Sequence, residues 1–138
     1  MQGQAIGKGA FGLSNASLDT PWPKVRHLKQ RLTQAVDRHH ELAALIGELF
    51  TALNDPLPAL DAELPQTGVT TVRERQLSSA FIRIAGGDGG TYGTRCSTVV
   101  VVEAAAGRRT VHVIERTHDE SGHAAGMQTA RFAWTLQG

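Results

Sequence analysis

Apolar and polar positions divide the chain into a helical first half and a β-rich final third. Val25, Leu28, Leu32, Ala35 and Val36 recur at helical spacing. They predict a helix from about Pro21 to His39. Thr20 reads as its N-cap, with Pro21 at the first helical position, where a missing N–H costs nothing. Pro23 still falls within the first turn. Lys24, Arg26, Lys29, Arg31 and Arg38 fill the remaining surface, which reads as a solvated basic face rather than a binding patch. Leu42, Leu45, Ile46, Leu49, Phe50 and Leu53 repeat the pattern, and a second helix is expected from Glu41 to Leu53. Asn54-Asp55-Pro56 ends it. A short strand is expected at Ala10–Leu13.

Leu57 to Thr71 carries Pro58, Pro65 and Gly68 with little periodicity, and reads as a long loop. Val72 to Ile84 reads as a short helix leading into an apolar strand at Ala80–Ile84. Gly86-Gly87-Asp88-Gly89-Gly90 is a loop; it lacks the strand–loop–helix order and the closing Lys of a phosphate cradle. Ser97–Glu103 is a β-branched run, as in a strand buried on both faces. Thr110–Arg116 alternates with Val111 and Val113 on one side, and Ala104–Arg109 is the hairpin loop between the two. Thr129–Leu136 also alternates, with Ala130, Phe132, Trp134 and Leu136 sharing a face. The fold class expected is α+β, helices packed on an antiparallel sheet.

Composition narrows the function classes. The 138 residues are a prior for one domain, and 41% hydrophobic with 20% charged is globular composition. A net charge of +1 gives no nucleic-acid footprint and no polybasic membrane anchor. No apolar run approaches the ~20 residues of a membrane span. MQGQAIGKGAFG lacks the apolar region of a signal peptide. One cysteine cannot form an internal disulfide, and a cytoplasmic, reducing location is expected.

Cys96, beside Arg95, is a candidate nucleophile whose plain alternative is a small residue filling a strand position. His39-His40-Glu41 and His118-Asp119-Glu120 with His123 look like metal clusters, but neither has a known ligand spacing. No metal site is assigned, and His118–His123 reads as a polar loop.

Phe11-Gly12-Leu13-Ser14-Asn15-Ala16-Ser17-Leu18-Asp19-Thr20-Pro21-Trp22-Pro23-Lys24-Val25 closely resembles a signature of the NRDE family, which includes the transport and Golgi organisation protein 2 homologues. Tyr92-Gly93-Thr94-Arg95-Cys96-Ser97-Thr98-Val99 resembles the family's YGTRSST segment. Ile114-Glu115-Arg116-Thr117 resembles the strand that follows, and Leu64–Val69 (LPQTGV) also fits. The namesake Asn-Arg-Asp-Glu string is absent, and residue 2 is Gln where the family has Cys. In the family the GLSN…TPWPK signature lies in the second half. The resemblance therefore implies that residues 1–138 are the C-terminal portion of one family domain, with the N-terminal half missing.

The family resembles the N-terminal-nucleophile hydrolases, whose αββα sandwich stacks two antiparallel sheets between helices. There the mature N-terminal residue attacks an amide, with its own α-amino group as base. The resemblance implies Asn15 and Arg95 as site residues, holding an oxyanion or positioning substrate. Cys96 stands where the family usually has Ser, which favours a structural role. The implied function is a hydrolase-like family protein lacking its nucleophile and inactive alone. The alternative is a haem or acyl-lipid binding and trafficking protein without catalysis. No cofactor is required; haem stays open, as does a small-molecule ligand. Self-association through an uncovered sheet is expected.

Overall fold

The computed structural model describes residues 5–86 and 91–135. The chain runs through helices α1 (Pro23–Arg38) and α2 (Leu42–Leu53), a 3-10 turn (Asp61–Glu63) and a short helix α3 (Thr71–Gln76). Strands β1 (Arg83–Ile84), β2 (Tyr92–Gly93), β3 (Cys96–Ala105), β4 (Arg108–His118) and β5 (Ala124–Thr135) follow. β1 and β2 form a two-stranded antiparallel ribbon, and β3-β4-β5 form a three-stranded antiparallel sheet with β4 in the middle. This is the expected α+β class. Among the described residues no helix is long and apolar enough to cross a membrane.

α1 begins two residues later than expected. Its N-cap is Trp22, with φ −65° and ψ 148°, and Pro23 takes the first helical position. The reason is local: a residue before proline is pushed out of the α region, so Trp22 cannot be helical. Thr20 instead closes a turn, its amide and hydroxyl both donating to the Ser17 carbonyl. α2 forms as expected and ends at Asn54. His39 and His40 sit in the connection between the two helices rather than on one of them. Arg31 and Glu48 join the helices through a 2.9 Å ion pair.

Strand residues directly opposite one another share a face, so the pairing sorts the sheet into two. The inner face carries Val99, Val101, Ile114 and Arg116. α2 packs against it: Phe50 is fully buried against Val99 and Ile114, and Ile46, Leu49 and Leu53 surround them. The Arg116 guanidinium lies 3.9 Å from the Phe50 ring centre, a cation–π contact on top of the apolar burial. The outer face carries Val100, Val102, Val111, Val113, Ala130, Phe132 and Trp134, with nothing laid over it among the described residues.

Ser97–Glu103 is therefore not buried on both faces. Ser97 and Val99 are buried, whereas Val100 and Val102 are 58% and 51% exposed, because α2 covers one side only. The expected loop Ala104–Arg109 contracts to the two-residue turn Ala106-Gly107, since Ala105 already pairs with Arg108. Both turn residues have positive φ, 47° and 74°, the geometry that matches strand twist in a tight hairpin. The strand expected at Ala80–Ile84 shrinks to Arg83–Ile84, and residues 10–13 form no strand, since among the described residues no strand runs beside them. Residues 87–90, expected as part of a glycine loop, and Leu136, expected at the end of the last strand, lie outside the described residues.

Candidate functional site

Two loops carry the residues singled out by sequence, and each is held by its own glycine and one polar partner. The first runs from Gly12 to Asp19. The Asp19 amide donates to the Gly12 carbonyl at 2.7 Å, and the Gly12 amide donates to Asp19 Oδ1 at 2.7 Å. Lys29 Nζ donates to the same carboxylate oxygen at 2.8 Å and so ties the loop to α1. The Lys29 ammonium, then the Gly12 amide, hold the Asp19 carboxyl below the usual carboxylate range. Gly12 is dictated by space: a Cβ there would lie 2.5 Å from Cγ1 of the buried Val25. With Gly12, Asp19 and Lys29 forming the neck, Asn15 is left exposed on the body of the loop.

The second loop is Tyr92–Cys96. The Ile82 amide donates to Thr94 Oγ1 at 2.9 Å, and the Thr94 amide donates to the Ile82 carbonyl at 2.8 Å. One threonine thus satisfies both backbone groups of Ile82. Gly93 is again dictated by space, since a Cβ would meet the Ile82 carbonyl oxygen at 2.7 Å. The Arg95 carbonyl accepts from the His118 amide at 2.8 Å, which fixes its backbone against the end of β4. The side chains of Tyr92, Arg95 and Cys96 remain exposed.

The loops border different cavities. Asn15 lines one of about 110 Å³ with Trp22, Lys24, Pro65, Thr67 and Glu74. That cavity joins the first signature to the LPQTGV segment. Glu74 is buried there, its Oε1 accepting from the Thr67 amide at 2.8 Å and from the Thr67 hydroxyl. Lys24 Nζ donates to the Leu77 carbonyl at 3.0 Å, and burial holds the ammonium below the usual lysine range. Arg95 lines a smaller cleft of about 40 Å³ with Arg83, Tyr92, Asp119 and Glu120. The Asp119 carboxyl is held low by the Ser121 hydroxyl, then by the His123 amide, bonds made within its own turn. The structure therefore places Asn15 and Arg95 at separate cavities.

Sequence reasoning missed Lys24 and Glu74 as cavity residues. Glu74 could have been found, since it follows a capping threonine, Thr70, and its helix carries few apolar residues to bury instead. It also missed the pair Ser97 and His118. These are buried on the inner face, with Ser97 Oγ 3.3 Å from His118 Nε2. His118 closes β4 instead of opening a polar loop, and Phe81 meets its ring edge-on at 4.8 Å. Period-2 counting from Val99 and Ile114 places both residues on the inner face. Cys96 is exposed at the start of β3, opposite Thr117 on the outer face. Among the described residues no group of three or more His, Cys, Asp and Glu is placed to hold a metal ion.

A third concavity, an apolar groove of about 290 Å³, runs between the helices and the β3 edge, lined by Phe11, Leu13, Leu28, Leu32, Leu53 and Val100.

The family model for Transport and Golgi organisation 2 matches residues 1–120. The chain belongs to the Transport and Golgi organisation 2 family. It is 38% identical over 102 residues to the Transport and Golgi organization protein 2 homolog of Bos taurus, covering 72% of this chain and 36% of that protein. It is 34% identical over 103 residues to the Mus musculus homolog, and 35% identical over 101 residues to the Homo sapiens homolog. Each of these alignments covers 70% of this chain and 35% of the relative. The chain thus spans about a third of the length of the curated relatives it matches. No solved structure matches. Both loops of this Transport and Golgi organisation 2 family chain, the Gly12–Asp19 neck and Tyr92–Cys96, lie within the matched residues.

Proposed function

We propose that this chain is the C-terminal portion of a family domain of the N-terminal-nucleophile-hydrolase type, an αββα sandwich. In this reading it supplies groups that position an amide-like substrate, not the nucleophile. The observation that carries it is the division of labour within the two motifs. Gly12, Asp19, Gly93 and Thr94 are consumed in holding the loops, whereas Asn15 and Arg95 are left exposed beside cavities. An Asn side-chain N–H₂ suits an oxyanion, and a guanidinium fork suits a carboxylate or a developing negative charge. The protein is read as cytoplasmic, an exposed free cysteine fitting a reducing compartment.

The chain alone is then inactive, because an internal Cys96 has no α-amino group to serve as its base. The test is incubation with chromogenic N-acyl amides, followed by intact-protein mass spectrometry. No release of product and no acyl adduct is the expected outcome. Turnover through an adduct on Cys96 would overturn the reading.

The second reading is a non-catalytic binder of an acyl lipid or haem. The apolar groove beside β3 favours the acyl version. Titration with haem checks the other: a shift of the Soret band on addition of the protein supports it, and an unshifted band removes it.

A further inference from the structure

The outer face of the three-stranded sheet is apolar at its centre and carries one acid and one base at opposite ends. Its rows are fixed by the pairing: Thr98–Glu115–Gln128, Val100–Val113–Ala130, Val102–Val111–Phe132 and Ala104–Arg109–Trp134. Phe132 and Trp134 are 59% and 46% exposed. Glu115 and Arg109 are the charged residues of this face, six positions apart on β4, or about 20 Å. Strands of 10 to 12 residues, three wide, make a face of about 33 by 14 Å. Two such faces bury about 900 Å² before side-chain relief is added, close to the roughly 1,000 Å² that a specific interface needs. One such face, about 450 Å², is the size of the largest apolar patch on a typical monomer, roughly 300–600 Å², and patches of that size are often functional.

We infer that this face binds the same face of a second copy of the chain, sheet on sheet, about a two-fold axis that crosses the strands at the level of His112. The charge pattern selects that axis. A two-fold across the strands inverts their direction, so Glu115 of each copy meets Arg109 of the other. A two-fold along the strands would set like charges together. The same operation lays Val113 on Val111, Val100 on Val102, and Ala130 on Phe132, a small residue against a large one. The interface is isologous and therefore closes at two copies. Strand twist turns the two sheets by about 30°, as in aligned sandwiches. The result is a helix–sheet–sheet–helix stack built from two chains. The αββα reading lays the second sheet of the domain on this same face, so the dimer is a property of the 138-residue chain by itself, read by mass where the catalytic reading is read by turnover.

Sedimentation velocity on the full 138-residue chain at tens of micromolar tests it. The expected species has twice the 14.8 kDa mass of the chain. Val113→Asp puts a charge at the centre of the interface and is expected to give a monomer with unchanged circular dichroism. Glu115→Arg alone and Arg109→Glu alone each set like charges at both ends, and each is expected to weaken the dimer about tenfold. Mixing the two variants, or combining both changes in one chain, restores opposite charges and the wild-type dissociation constant. A monomeric wild type would overturn the proposal and leave the face to another chain or segment. Open-ended aggregates, or a dimer indifferent to the charge reversals, would overturn it equally.

Discussion

Replacing Gly12 by alanine tests the account of the signature loop most sharply. Gly12 does not have a positive φ, so alanine is not excluded by conformation. What excludes it is Val25, whose Cγ1 lies 2.5 Å from the position of the new methyl. Val25 is buried and cannot swing into solvent. The loop must lift instead, and the two hydrogen bonds between Gly12 and Asp19, one to the Asp19 carboxylate and one from the Asp19 amide, lengthen with it. Overpacking of this kind costs about 1–3 kcal/mol, and each weakened hydrogen bond adds about 0.5–1.5. The restricted unfolded chain returns about 0.4–1 kcal/mol. The net loss is about 1–5.5 kcal/mol, a fall in Tm of about 3–19 °C for a chain of this size. Thermal melts at one fixed protein concentration read it directly. Gly47→Ala is the control: it lies in α2 with nothing within 4 Å of the added methyl, and alanine there should raise stability by about 0.5–1 kcal/mol. Val25→Ala in the Gly12→Ala background should cost less than the sum of the two single changes. A Gly12→Ala protein that melts at or above the wild type would refute the steric argument.

Further outcomes follow from the same contacts. The folded Asp19 carboxyl is depressed, so its stabilisation is present above the ordinary aspartate range and is lost as pH falls through the folded value. Asp19→Asn should therefore melt below the wild type at neutral pH and converge with it in acid, as followed by melts across a pH series. Ala106, at φ 47°, occupies a position that favours glycine, and Ala106→Gly should raise stability by about 0.5 kcal/mol in denaturant titrations. Gly107→Ala, at φ 74°, should lower it by about 1 kcal/mol in the same assay.

The elements legible in the sequence are those whose own pattern suffices. α2 repeats apolar residues on one stripe, and β3 to β5 are long β-branched or alternating runs. The misplaced start of α1 was readable too, since Trp22 precedes a proline and that restriction outranks Thr20 as a cap. Other features were not local. Whether Val100 and Val102 are covered depends on how far α2 reaches, which no periodicity within β3 records. The motif residues were legible as a set, but their sorting into Gly12 and Thr94, which hold loops, and Asn15 and Arg95, which face outward, required Val25 and Ile82 to be placed beside them.

The irregularity between Thr117 and His118 has a consequence for how the chain joins its parts. Thr117 pairs with Gly126 and His118 with Ala124, so Ala125 is an extra residue on β5. The turn before it is a preassembled unit: Asp119 Oδ1 accepts from the Ser121 and His123 amides, and the Asp119 amide donates to the His123 carbonyl. That turn sets one phase for the entering strand, and the side chains of Phe132 and Trp134 set another. Ala125 absorbs the difference of one residue between them. Drawing Ala125 into a regular ladder opposite Thr117 would move every later residue on by one and turn every side chain of β5 to the other face, whereas deleting it would leave both the turn and the faces in place.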